Sequence, residues 1–149
     1  MADLTVIHRF VERCRAGQLP NVVARMASGW LILGEQQVLP GYCLLLPDPV
    51  VPHLNALQGS ARTQFLADMG LAGDALQTVT GAIRINYAIY GNVEPALHAH
   101  LFPRMAEEPE GARQLQPFAL DWSTAARFSE AQHGELQARI AKQVKSRSN

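Results

Sequence analysis

The chain has 149 residues, of which 48% are hydrophobic and 17% charged, a composition that predicts one folded domain and excludes a disordered chain. Lysine and arginine together number 13, and aspartate and glutamate together also number 13. Because the formal net charge is zero, composition gives no reason to expect a nucleic acid polymer or an anionic membrane as a partner. A pocket for a small phosphate compound remains compatible with this balance, since it needs only a few hydrogen-bond donors.

The first part of the chain predicts a helix followed by a three-stranded meander. Asp3–Ala16 has apolar residues at helical spacing, with Asp3 as its N-cap and Gly17 just beyond its end. Three short apolar segments separated by turn residues then predict antiparallel strands. These strands are Val22–Ala27, Trp30–Leu33 and Tyr42–Leu46.

The middle of the chain predicts the longest helix, Gly59–Gly81, with Ser60 as its cap. Gly70 and Gly73 each weaken a helix by about 1 kcal/mol relative to alanine, so a break between them is the open alternative.

Two further strands and a C-terminal helix follow. Ile83–Tyr90 alternates as a half-polar strand, and Leu97–Phe102 predicts a second strand that ends at Pro103. A polar, mobile segment is expected over Glu107–Gln114, and a capping box at Ser129 predicts the start of the last helix. The fold class is therefore α+β, with about five strands in an antiparallel sheet. We expect a single domain over residues 1–149, with its core in 22–105 and a C-terminal extension in 106–149.

The cellular compartment and its redox state are predicted from the absence of targeting, membrane and paired-cysteine motifs. No signal peptide is visible at the first residues, and no apolar run reaches the length of a membrane span. Cys14 and Cys43 have no C-x-x-C spacing and predict small buried thiols, with one disulfide as the alternative. These features predict a cytoplasmic protein with no membrane partner.

The residues that carry chemistry lie in the stretch Glu94–Arg104. His98 and His100 are two residues apart, so on a strand both imidazoles project from the same face. A neutral imidazole can attack phosphorus near pH 7, and a second imidazole beside it can hold the same phosphate. The other candidate contacts to phosphate are amide, backbone or guanidinium donors: Asn86, Gly91, Asn92 and Arg104.

The same residues have plainer interpretations. The histidine pair can be structural, with both rings bonded to carbonyl groups, and spacing alone does not separate this from a functional site. Arg104 can be a solvated surface residue, and Asn86 a strand-edge amide. Two histidines fall short of the three or four ligands typical of zinc sites, so we expect no metal and no cofactor.

The stretch from Asn92 to Arg104 resembles the signature of the histidine triad (HIT) family, a His-φ-His-φ-His-φ-φ pattern often followed by Pro-Arg. The upstream segment from Trp30 to Pro47, with its Pro-Gly turn, is similar to the paired strands of the family. The resemblance covers roughly residues 22–105, and the residues around Asp121-Trp122 resemble the extension of a bacterial subgroup.

The resemblance implies a HIT-like fold and a nucleotide-binding hydrolase or nucleotidyl transferase. Such proteins act on the α-phosphate of nucleoside phosphoramidates and of dinucleoside polyphosphates such as diadenosine polyphosphates. It implies His98 as the nucleophile that forms a nucleotidyl-histidine intermediate, and His100 as a residue that holds the phosphate. Asn86 and Asn92 fall near polar family positions that contact phosphate or the leaving group. A homodimer is also implied.

Two departures from the family pattern bear on function. The first triad position holds Ala96, which cannot assist the leaving group, and Gly34 stands where many relatives carry a polar residue that holds the ribose, a role that Glu35 could take. The competing hypotheses are a nucleotide-binding module with weak or no catalysis, favoured by Ala96, and a dimeric interaction protein with a closed pocket and vestigial histidines.

Overall fold

The structure, a computed structural model, describes residues 4–148, so the predicted N-cap Asp3 lies outside the described residues. The helices are α1 Val6–Arg15, α2 Gly59–Thr80, α3 Glu110–Arg113 and α4 Glu130–Arg147. The strands are β1 Val22–Arg25, β2 Gly29–Leu33, β3 Gln36–Gln37, β4 Cys43–Pro47, β5 Arg84–Ile89, β6 Ala99–Arg104 and β7 Ala126–Arg127.

Five of the strands form one antiparallel sheet in the order β1-β2-β4-β6-β5. This confirms the predicted α+β class, the five-stranded antiparallel sheet and the meander of β1, β2 and β4. The remaining two strands, β3 and β7, pair with each other. The sequence did not predict this pair, because two residues are too few to show alternation.

The two faces of the sheet are covered differently. Helices α2 and α4 cover one face, where side chains such as Leu31, Leu45 and Leu101 pack against Phe65 and Leu76. The first part of the opposite face is covered by α1, whose buried residues Ile7, Val11 and Cys14 pack on Ile32, Leu46 and Ala96. The rest of that opposite face carries the histidine pair, so α1 forms one border of the candidate site.

Local hydrogen bonds explain where the helices begin. Helix α4 begins at the predicted cap, with the Ser129 hydroxyl accepting from the Gln132 N–H. The Ser129 N–H donates to His133 Nδ1, however, and not to the Gln132 side chain that the predicted capping box would use. Helix α1 has a complete capping box, with Thr5 as the N-cap and His8 in the reciprocal role. Ser60 does not cap α2, whose N-cap residue is Gln58, and the helix runs unbroken through its two glycines.

Strand β6 differs from the predicted Leu97–Phe102, since it begins at Ala99 and continues through Pro103 to Arg104. The Arg104 carbonyl accepts from the Ile83 N–H on the β5 side. The Pro103 nitrogen therefore points to the β4 side, where pairing ends at Leu101. Its missing N–H breaks no hydrogen bond of the sheet there, which is the usual condition for proline in a strand.

The two cysteines are both buried and free, as predicted. Burial raises the pKa of the Cys14 thiol to about 11, and it raises the pKa of the Cys43 thiol as well. Within residues 4–148, no helix combines the length and the apolar character that crossing a membrane requires.

Candidate functional site

Both histidines line an open cavity of about 390 Å³. His98 precedes β6 directly, and His100 lies in β6 opposite Leu44 of β4 and Ala88 of β5. Their ring centroids are 4.9 Å apart in an edge-to-face arrangement. The cavity is lined by Tyr90, Gly91, Asn92, Val93, Glu94, His98, His100 and Phe118. The structure therefore brings four of the six predicted site residues together.

The His98 ring is oriented by the backbone of Ala96. Its Nδ1 lies 2.7 Å from the carbonyl oxygen of Ala96. Because a carbonyl can only accept, this contact places the proton of the neutral ring on Nδ1 and leaves a lone pair on Nε2. Nε2 has no hydrogen-bond partner among the described residues. Every buried side-chain nitrogen in those residues does have a partner, so Nε2 is not buried. Nε2 is therefore open to the cavity.

The His100 ring makes a different contact, since its Nδ1 lies 2.7 Å from the Tyr42 hydroxyl. Burial, with a smaller contribution from His98, lowers the pKa of His100 to about 4, so this ring is neutral at pH 7. Burial also raises the pKa of the Tyr42 phenol, which stays protonated. His100 is thus an uncharged group at the floor of the cavity.

The loop that closes the cavity begins at Gly91, whose φ of +93° lies in the left-handed region that favours glycine. Asn92 follows it into the cavity lining. Sequence reasoning missed Glu94, which lines the same cavity while its carboxylate accepts from the Val6 N–H at 3.2 Å. A carboxylate is favourable at the start of a helix, so Glu94 joins the loop to α1.

Arg104 and Asn86 do not reach this cavity. Arg104 is buried and forms a salt bridge of 3.0 Å with Glu108, and its Nη1 donates to Asn86 Oδ1 at 3.0 Å. Its remaining donors bind backbone carbonyls of the segment that contains α3, namely those of Ala112, Arg113 and Leu115.

Arg104 is therefore neither a phosphate ligand in this arrangement nor a solvated surface residue. A buried guanidinium is stable only with its donors satisfied, and the polar segment that we expected to be mobile supplies the acceptors. Asn86 lies opposite Phe102, one step along the sheet from His100, and its oxygen is taken by Arg104. The sequence could not reveal these partners, because they come from residues 108–115.

Aromatic side chains from the C-terminal extension complete the wall. Phe118 meets the His100 ring edge-on at 5.0 Å between centroids, and it stacks on Trp122 at 5.5 Å. Tyr42 stacks on Phe102 at 4.2 Å and also meets Trp122 edge-on. Sequence reasoning missed this cluster because Phe118 and Trp122 belong to no periodic segment.

The structure gives a packing reason for the small residues at positions 96 and 34. Ala96 is 1% exposed and packs beneath α1, so no side chain projects from this position into the cavity. A Cβ atom at Gly34 would lie 2.4 Å from the Tyr42 ring, which excludes a side chain there. Glu35 instead lines a second cavity of about 220 Å³, beside Ile32, Leu44, Tyr42 and Trp122.

No group of three or more metal-ligating side chains forms anywhere in residues 4–148. His53 is exposed, whereas His8 and His133 are used at helix starts. The chemistry available at the site is that of two imidazoles, backbone amides, the Asn92 amide and the Glu94 carboxylate.

Comparison with solved structures identifies the fold. A histidine triad protein from Sinorhizobium meliloti is 20% identical, with a TM-score of 0.70 over 89% of this chain and 93% of that one. A histidine triad protein from Marinobacter aquaeolei is 17% identical, with a TM-score of 0.72 over 91% and 94% of the two chains. A hypothetical histidine triad nucleotide-binding protein from Sulfolobus tokodaii is 15% identical, with a TM-score of 0.72 over 93% and 92%.

The protein therefore has the HIT fold, as its sequence predicted. No protein-family model matches the chain, and no curated protein matches it either.

Proposed function

We propose that the protein is a HIT-like hydrolase or nucleotidyl transferase that acts on the α-phosphate of a nucleotide through His98. The observation that carries this proposal is the His98 ring, whose Nδ1 is bonded to the Ala96 carbonyl while Nε2 is open to the cavity. A fixed imidazole with a free lone pair is the form of histidine that acts as a nucleophile.

The proposed reaction has two displacements at phosphorus. In the first, the Nε2 lone pair of His98 forms a bond to phosphorus as the bond to the leaving group breaks with its electron pair. The ring becomes cationic, and the Ala96 carbonyl stabilises it through the Nδ1 proton. In the second, water attacks phosphorus, the P–N bond returns its electrons to Nε2, and a water proton is released to solvent.

His100 and the loop would hold the phosphate oxygens. His100 is neutral, so a contact from its ring adds a hydrogen bond without a charge. Gly91 and Asn92 border the same cavity and contribute backbone N–H groups and one amide. Since Ala96 has no proton to give, the leaving group departs as an anion or takes its proton from water.

We propose nucleoside phosphoramidates and dinucleoside polyphosphates as the substrate panel. The second cavity supports a nucleoside beside the phosphate, because Tyr42 lines it and contacts His100. It also offers apolar walls at Ile32 and Leu44 and a carboxylate at Glu35. A carboxylate is a natural acceptor for ribose hydroxyl groups.

The test is a turnover assay with a labelled nucleoside phosphoramidate and a labelled diadenosine polyphosphate. We expect hydrolysis by the native protein, loss of at least a hundredfold in His98→Ala, and little change in His53→Ala, which removes an exposed histidine elsewhere. Acid quenching should trap nucleotide on the native protein and none on His98→Ala. Turnover that survives His98→Ala would remove this residue from the role of nucleophile.

A second candidate function is a nucleotide-binding module, which the buried Ala96 favours because the site lacks one triad imidazole. Calorimetry with AMP separates the two functions. Tight binding with no turnover of either substrate supports the module. The third hypothesis, an interaction protein, predicted a closed pocket, whereas the histidines line an open one of about 390 Å³.

We also propose a cytoplasmic homodimer. Strand β5 lies at the edge of the sheet, and large apolar side chains on and beside it are exposed, including Ile83 at 55% and Tyr90 at 59%. An open strand edge with apolar neighbours is suited to pairing with a second copy. Sedimentation or light scattering tests the dimer, and free buried thiols suit a reducing compartment.

A further inference from the structure

The proposed reaction gives no role to Tyr42, whose hydroxyl contacts the His100 ring. Tyr42 is 5% exposed and His100 is 8% exposed, so neither partner of the 2.7 Å hydrogen bond has free access to water as a substitute. Among the described residues, the Tyr42 hydroxyl has no other hydrogen-bond partner. The proton of this bond can therefore be assigned by counting donors and acceptors.

A protonated phenol has one hydrogen to donate. If His100 carried its proton on Nδ1, that proton would point at the Tyr42 oxygen, and the phenol hydrogen would be left buried without an acceptor. A buried donor without a partner disfavours such an arrangement by about tenfold to a hundredfold. The phenol therefore donates to Nδ1, and the proton of the neutral His100 ring lies on Nε2.

We propose that Tyr42 is a positioning residue that holds His100 with Nε2–H directed at the cavity, as the donor to a phosphate oxygen. His98 and His100 then present opposite groups to one ligand. His98 offers the lone pair that attacks phosphorus, because its Nδ1 meets a carbonyl. His100 offers a hydrogen, because its Nδ1 meets a hydroxyl.

The position of the Tyr42 hydroxyl is fixed by three packing contacts of its ring. One contact is the stack on Phe102, with 4.2 Å between centroids and 7° between planes. Another is the edge contact with Trp122 at 5.7 Å. The third contact is with the backbone of Gly34, which lies so close to the Tyr42 ring that a Cβ atom at position 34 would collide with it. Replacing only the hydroxyl should thus leave the ring in place.

The tautomer and the hydrogen bond can be measured without any substrate. Two-bond ¹H–¹⁵N spectra of protein with ¹⁵N-labelled histidine, recorded at pH 7, should show His100 protonated on Nε2. Its Nδ1 signal should move in Tyr42→Phe towards that of a nitrogen that accepts no hydrogen bond. The His98 signals should be unchanged. A native His100 protonated on Nδ1, or an Nδ1 signal that Tyr42→Phe leaves in place, would overturn the proposal.

The contribution to turnover rests on the proposed function and is measured by a double-mutant cycle. Tyr42→Phe should lower kcat/KM by about threefold to tenfold in the native background and have no further effect in His100→Ala. A loss of the same size in both backgrounds would mean that Tyr42 acts through packing alone and would refute the positioning role. Tyr87→Phe is the control, because it removes a hydroxyl that contacts Gly73 of α2, on the other face of the sheet.

Failure of the proposed function has a different signature. If the native protein turns over neither substrate, the hydrolase is excluded, whereas the spectra still decide whether Tyr42 orients His100. If turnover depends on His98 but the cycle shows no coupling between Tyr42 and His100, the hydrolase stands and the positioning role is refuted.

Discussion

Acidification should destabilise the protein through His100. The pKa of this ring is lowered to about 4 in the folded protein, from 6.5 in an unfolded chain, chiefly by burial. Above pH 6.5 the ring is neutral in both states, and stability from this residue is complete. As the pH falls from 6.5 towards 4, the His100 ring becomes protonated in the unfolded chain but stays neutral in the folded protein, so the free energy of unfolding decreases.

The size of the effect follows from the two pKa values. Each pKa unit corresponds to about 1.4 kcal/mol, so at pH 5 the full effect is about 2 kcal/mol. The ring retains an opening to the cavity, and solvent screening reduces the expected loss to about 1 to 2 kcal/mol.

Urea unfolding of the native protein and of His100→Gln, at pH 7.5 and at pH 5, isolates this contribution. Glutamine does not titrate, and the ionisable groups that do not contact His100 cancel in the difference between the two proteins. We expect the stability advantage of the native protein to shrink by about 1 to 2 kcal/mol at pH 5. A difference between the two proteins that stays constant with pH would show that His100 is not buried as a neutral ring.

Further substitutions test the packing around the site, and urea unfolding measures each of them. Arg104→Met should cost about 3 kcal/mol, because it removes the ion-pair partner of the largely buried Glu108 and leaves backbone carbonyls of the α3 segment without a donor. In the double variant Arg104→Met/Glu108→Leu, which removes both charges, much of this stability should be recovered. Gly70→Ala, with open space around it, should stabilise by about 0.5 to 1 kcal/mol, whereas Gly73→Ala should destabilise, because its Cβ would collide with a tyrosine hydroxyl. Ala96→His should cost about 1 to 3 kcal/mol, because position 96 is packed beneath α1.

Much of the fold could be predicted from the sequence because its signals are local. Apolar spacing located the three long helices α1, α2 and α4, and alternation located β5. Boundaries were less accurate where tertiary contacts decide them. Pro103 lies inside β6 only because the neighbouring strand has already ended, which no local pattern reveals. The β3–β7 pair joins residues 36–37 to 126–127 and is equally invisible to periodicity.

The candidate site was predictable in part for the same reason. His98, His100, Gly91 and Asn92 are close in sequence and meet in one cavity. Arg104 was misassigned, because its spacing from the histidines says nothing about the acceptors that arrive from 108–115. Tyr42 and Phe118 contact His100 across gaps of 58 and 18 positions, and only the structure reveals such contacts.

Because Gly34 lies so close to the Tyr42 ring, the side chains allowed at these two positions depend on each other. A side chain at position 34 fits only if residue 42 is smaller than tyrosine. A chain with a polar side chain at position 34 would therefore lack the phenol beside His100.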